Sequence, residues 1–286
     1  MPEKHNRLGQ RAIVIGAGVG GLLSAAALCP FFEEVVIVEK DDLPSDPSFR
    51  KGVPQGPHGH IVLKRGENIA EDFFPGFRRT LAEAGGVELR MGRDMGRFAF
   101  GKWSAPVRSD VTVLSQTRPL LERTLRERLV RMSGVQIRER SRFAALAFED
   151  GRVRGLGVES ADGVVEDIDA DLVVDAAGRG TSTPKWLEAN GYGVVPTDRL
   201  GIDVCYVTGL FETDSFEDAY PKLCTIGDTP PAGRGGAALP VEDGRWMITL
   251  NGRGADLPHG RAAHSRRRVR VMRRGAPHQR GRPRTS

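Results

Sequence analysis

Ala12-Ile13-Val14-Ile15-Gly16-Ala17-Gly18-Val19-Gly20-Gly21 decides the fold of this 286-residue chain. Its first four residues are an apolar run of strand length, and G-x-G-x-x-G follows at Gly16, Gly18 and Gly21. Leu22 to Leu28 is a small-residue apolar stretch that suits a helix, and Val35-Val36-Ile37-Val38 is a second apolar strand ending at Glu39. Strand, glycine turn, helix and strand make a βαβ unit shaped for a dinucleotide. Gly16 allows the tight turn, Gly18 lets the backbone approach a diphosphate, and Gly21 lets helix and strand pack closely. The helix N-terminus supplies free N–H groups and partial positive charge. Glu39, eighteen residues beyond Gly21, can accept hydrogen bonds from an adenosine ribose.

Composition sets the outer limits. Hydrophobic content of 39% and charged content of 28% are those expected of an ordinary soluble protein. No apolar run approaches the roughly twenty residues that span a bilayer. The polar Met1–Gln10 segment shows no signal-peptide pattern, so the expected location is the cytoplasm. Cys29, Cys205 and Cys224 are odd in number and far apart, which suits reduced thiols and gives no metal-ligand spacing. The net charge of +5 is misleading. Ten Arg and no acid lie between His259 and Ser286, so the remainder carries a net charge of −5, and nucleic acid is not an expected partner.

Further along, Arg50 to His60 is a Gly-, Pro- and His-rich loop, R-K-G-V-P-Q-G-P-H-G-H. Residues 61–84 read as helix broken at Pro75-Gly76, and Val107 to Leu114 as a strand. Arg118 to Leu129 reads as a helix with Leu121, Leu125 and Leu129 on one face and Pro119 in its first turn. Phe143–Phe148, Val153–Val158 and Val164–Ile168 form a meander turning at Asp150-Gly151 and Asp162-Gly163. Leu172-Val173-Val174 is a buried strand that runs into Asp175-Ala176-Ala177-Gly178-Arg179-Gly180. Longer strands at Ile202–Phe211 and Trp246–Leu250 begin a second sheet, where Phe98, Tyr206, Phe211 and Trp246 read as core residues before pocket residues. The expected class is α/β: a Rossmann-like nucleotide-binding domain with parallel sheet and β-meander, plus the start of a mixed-sheet substrate domain. The expected boundaries are 1–183, with 43–110 partly substrate-side loops and helices, then 184–257, then a disordered Arg-rich tail over 258–286.

The order of these motifs resembles the single-Rossmann FAD-dependent monooxygenases, the aromatic-hydroxylase class of flavoproteins. It is similar in particular to a bacterial branch with a V-P-Q-G-x-H-x-H loop, here Val53 to His60. The resemblance rests on Gly16, Gly18, Gly21 and Glu39, on that loop, on Arg118-Pro119-Leu120-Leu121, and on Leu172 to Gly180. It implies FAD as cofactor, NAD(P)H as electron donor, and transfer of one oxygen atom to a small organic substrate. It implies that Arg118, which opens the R-x-x-L helix, and Asp175 and Gly178 in the D-x-x-G segment approach the flavin nucleotide. The other role open to Asp175 is to cap the turn that follows it. His58 and His60 would lie near the flavin ring and are the weak catalytic candidates, surface positions being the alternative.

The chain also departs from that family. The family's Gly-Asp motif and closing helix follow the substrate sheet, whereas here the pattern ends after Asp256. Gly227-Asp228-Thr229-Pro230-Pro231-Ala232-Gly233 comes too early for that motif and reads as a turn. The tail looks like out-of-frame translation of a GC-rich gene or a truncated reading frame. A functional basic tail is the competing reading, although no aromatic residue after Trp246 could stack on a base. Two other functions stay open: an FAD-dependent dehydrogenase or reductase, and a truncated non-catalytic remnant. The halogenase G-W-x-W-x-I-P motif is absent from the sequence. Substrate identity, NADH or NADPH preference, and oligomeric state are not legible.

Overall fold

The computed structural model describes residues 7–202, 204–212, 221–227 and 233–253, and the backbone of 264–268. Its elements in chain order are β1 (Gly9–Ile15), α1 (Val19–Leu28), β2 (Phe32–Val38), α2 (Lys64–Phe73), α3 (Phe77–Glu83), β3 (Val87–Arg90), β4 (Met95–Ala99), β5 (Lys102–Trp103) and β6 (Thr112–Ser115). There follow α4 (Arg118–Leu129), β7 (Val135–Arg138), β8 (Arg142–Glu149), β9 (Arg152–Glu159), β10 (Val165–Asp169), β11 (Leu172–Asp175) and α5 (Thr183–Ala189). The last are β12 (Val204–Glu212), β13 (Leu223–Ile226), β14 (Arg234–Val241), β15 (Arg245–Arg253) and β16 (His264–Arg268).

These elements form two compact units. The first comprises the described residues up to Ala84 together with Thr117–Ile202. Its centre is a parallel sheet in the order β11-β1-β2-β7. Ala12 to Ile15 and Val35 to Val38 are buried without alternation, as expected for parallel strands covered on both faces. On one face Ile13, Ile15, Val36 and Val38 pack with Leu156, Val158 and Ile168 of the antiparallel meander β8-β9-β10. On the other, α1 lies over β1 and β2 and touches α4. Thr117 caps α4 by accepting the Leu120 N–H at 3.3 Å, and Leu121, Leu125 and Leu129 are all buried, as their spacing requires. The β8–β9 hairpin turns on Asp150 and Gly151, both at positive φ, which is the two-residue turn that Asp-Gly favours.

The second unit comprises Gly85–Gln116 and the described residues from Val204 onward. A mixed seven-stranded sheet runs β16-β12-β15-β14-β13-β4-β5, and β3 pairs with β6. Thr208, Leu239, Val241, Met247 and Thr249 lie on its buried face, and the two Thr hydroxyls bond at 2.8 Å. Trp246 is buried, Phe98 packs edge-on against Trp103, and Tyr206 is 53% exposed rather than a core residue. The division departs in part from the boundaries read in the sequence. Residues 85–116, most of them within the 43–110 stretch read as partly substrate-side, join the later sheet because β4 pairs in parallel with β13, whereas 184–202 stay with the first unit. The strand read at Val107–Leu114 is confined to Thr112–Ser115. Val107 is 60% and Val111 44% exposed, and Arg108-Ser109-Asp110 between them is polar, so the stretch before β6 has no apolar face to bury.

Of the expected tail, His264–Arg268 is described, and it forms a strand beside β12. The rest of 258–286, and residues 228–232 of the expected turn, lie outside the described residues. Among the described residues no helix is long and apolar enough to cross a membrane.

Candidate functional site

Strand order reverses at β1. The chain passes from β1 to β2 and later to β7 on one side, while β11 pairs on the other. Open parallel sheets take ligands in the crevice beyond the carboxyl ends of their strands at such a switch point. Two segments leave the sheet there: Gly16–Gly21 after β1, and Ala176–Gly180 after β11.

The two segments are built against each other. Gly16 has φ +98°, and a Cβ on it would lie 2.8 Å from the Ala176 carbonyl oxygen. Its N–H donates to Val38 O at 2.8 Å, and the Ala176 N–H donates to Ile15 O at 2.9 Å. A Cβ on Gly21 would lie 1.8 Å from Gly16 O, so the helix rests on the turn with no space for a methyl group. Gly18 differs. It is the N-cap of α1 in an extended conformation, and a Cβ on it would meet nothing within 4 Å. Helix α1 has no side-chain cap and no acid in its first turn. Its leading N–H groups and the positive end of its dipole are left for an anion. These features fit a dinucleotide diphosphate.

Glu39 follows β2 and is 4% exposed. Its Oε2 accepts the Ala17 N–H at 2.6 Å and its Oε1 accepts the Asp41 N–H at 2.9 Å, so the acid is tied directly to the glycine turn. Asp175 accepts the Ala177 N–H at 2.9 Å and the hydroxyls of Thr181 and Thr183. It therefore caps its own turn. Burial would raise its pKa, but the two hydroxyls and the N–H outweigh burial and hold the carboxyl below the usual value. Gly178, at φ +77° with open space beyond its Cα, starts the 3₁₀ turn Gly178–Gly180.

Arg118 is the first residue of α4, and its Nε donates to Glu122 Oε1 at 2.7 Å. Glu122 also binds Arg50, which reaches Glu39 and Asp41. Burial disfavours the Arg50 charge, but Glu122, Glu39 and Asp41 more than restore it and raise its pKa. His58 and His60 are half-buried in the loop ahead of α2, and His60 Nδ1 donates to His58 O at 2.7 Å. Burial, and then the charge of His60, push His58 below the ordinary imidazole value. Burial pushes the Cys29 thiol up to about 11, so it stays protonated near neutral pH.

The glycine turn, Glu39 and the Asp175–Gly178 segment thus meet at one end of the sheet, and Arg118 joins them through side-chain ion pairs. Sequence reading missed Arg50, Glu122, Thr181 and Thr183. Only Glu122 left a signal, four residues beyond Arg118 on the same helix face. A groove of about 770 Å³ lies at the opposite ends of the strands, lined by Gln10, Arg11, Glu34 and Asp171 among others. Its charges satisfy one another: Asp171 accepts the Gln10 and Arg11 N–H groups, and Arg11 pairs with Glu34.

No family model matches the chain. Protein Rv3254 of Mycobacterium tuberculosis is 34% identical over 252 residues, which cover 84% of this chain and 53% of that relative. PqsL of Pseudomonas aeruginosa, described as a probable FAD-dependent monooxygenase, superposes with a TM-score of 0.65 at 15% identity, over 86% of this chain and 61% of its own. The chain has the fold of the FAD-dependent monooxygenases. The myxobacterial chondrochloren halogenase CndH, a variant of FAD-dependent halogenases, shares it with a TM-score of 0.63 at 18% identity, over 86% of this chain and 53% of that one. The chain spans about half the length of the curated relative it matches.

Proposed function

We propose that the chain binds FAD and belongs to an NAD(P)H-driven monooxygenase acting on a small organic substrate in the cytoplasm. One observation carries this reading: the uncapped N-terminus of α1 opens at the switch point of a parallel sheet, with Glu39 fixed beside it. Gly16, Gly18 and Gly21 would receive the diphosphate, Glu39 an adenosine ribose hydroxyl, and Arg118 and the Asp175–Gly178 turn the remainder of the nucleotide. FAD, when bound, supplies the redox chemistry. The protein holds it, orients substrate and excludes water. A solved PqsL complex holds 2-aminobenzoylacetate, which supports a substrate of that size class.

Purified protein that is yellow, or turns yellow with added FAD, and that consumes NAD(P)H faster with substrate present supports the assignment. A colourless preparation with no FAD binding refutes it. The likeness to CndH favours one second reading, halogenation, against which the missing G-W-x-W-x-I-P motif stands. Product analysis separates the two: oxygen from labelled O₂ marks a monooxygenase, and incorporated halide marks a halogenase. Neither label in the product marks a dehydrogenase or reductase.

A further inference from the structure

Arg50 and Glu122 are buried charges that the nucleotide contacts do not use. Their side chains are 8% and 6% exposed. Charges so enclosed persist only when paired and hydrogen-bonded. Arg50 Nε and Nη2 each lie 3.2 Å from Glu122 Oε2. Nη2 also donates to Ala17 O at 3.0 Å. Nη1 lies 3.1 Å from Asp41 Oδ2 and 3.3 Å from Glu39 Oε2. All three guanidinium nitrogens are therefore engaged within the protein. Asp41 Oδ2 also accepts the Gly52 N–H at 2.8 Å, which closes the loop that carries Arg50. The other oxygen of Glu122 takes Arg118 Nε.

This one side chain joins the glycine turn, the end of β2, the 41–52 loop and α4. We propose that Arg50 is a positioning residue: it sets the Glu39 carboxylate against the Ala17 N–H and fixes Arg118, through Glu122, relative to the glycine turn. The proposal rests on the FAD reading. Arg50 acts through Glu39 and not on the ligand, because its nitrogens are already occupied. Glu39 Oε2 accepts the Ala17 N–H with Arg50 Nη1 3.3 Å away, and Oε1 accepts the Asp41 N–H. A carboxylate offers about four acceptor directions, so acceptor capacity remains for a ribose hydroxyl. Without Arg50, the carboxylates of Glu39, Asp41 and Glu122 lose the cation they share, and their repulsion turns Glu39 away from the Ala17 N–H.

The test is a double-mutant cycle on the full chain. FAD and ADP affinities are measured by calorimetry, with circular dichroism melts, for wild type, R50M, R50K, E39Q and R50M/E39Q. R50M and E39Q should each weaken FAD and ADP by about tenfold or more. The double variant should bind no worse than the weaker single, and R50K should recover part of the loss. Wild-type affinity in R50M, or additive losses in the double variant, overturns the proposal. If R50M does not fold, E122Q takes its place, and unchanged FAD affinity in folded E122Q is equally fatal. Wild-type protein that binds no FAD overturns the functional reading itself, a result distinct from an unaffected R50M.

Discussion

The carbonyl oxygen of Gly16 occupies the space a Gly21 side chain would need: a Cβ on Gly21 would fall 1.8 Å from it. Gly18, two residues beyond Gly16, has open space instead. The two glycines therefore answer to different demands, one within the protein and one toward a ligand. Gly21→Ala forces the turn and helix apart and should cost about 1–3 kcal/mol or more of stability, together with FAD binding. Gly18→Ala should leave the melting temperature near wild type while weakening FAD, because the added methyl projects where the diphosphate approaches. Melting curves and FAD titrations on both variants check this. A Gly18→Ala protein that binds FAD normally would show that the diphosphate lies elsewhere.

Asp175 links the second segment to pH. Its folded pKa is lowered, so its stabilising effect is complete above the unfolded value of about 3.9 and is lost as pH falls through the folded value. Melting temperatures measured between roughly pH 6 and pH 3 should fall more steeply for wild type than for Asp175→Asn. Parallel curves would mean that the Thr181 and Thr183 bonds contribute nothing at this carboxylate.

His58 titrates in a different window. Its folded value is lowered, so the unfolded chain binds the proton more readily, and stability is lost as pH falls below about 6.5. His58→Ala should flatten that loss between roughly pH 7 and pH 5, as read from urea unfolding midpoints. The same variant should still bind FAD, since the loop is held at Gly52 and Arg50.

The N-cap of α4 offers a local test. Thr117→Ala removes the acceptor for the Leu120 N–H and should cost about 1 kcal/mol, seen as a lower denaturant midpoint at unchanged slope. A change in slope would point instead to a more open native state.

The sequence by itself determined the βαβ unit, because each of its signals is local. Consecutive apolar residues make a strand covered on both faces, and the glycine spacing fixes the turn between strand and helix. The four-residue period of Leu121, Leu125 and Leu129 and the Asp150-Gly151 turn were legible for the same reason: neighbours in the chain settle them. Tertiary structure alone decided what distant segments share. Pairing of β4 with β13 carried residues 85–116 into the second sheet, and pairing of β11 with β1 set Ala176 against Gly16. The Arg50 cluster draws on Glu39, Asp41 and Glu122, up to 72 positions away in the chain. Ion pairs in an enclosed space depend on which backbones the fold brings within a few ångströms, and no periodicity in the sequence encodes that distance.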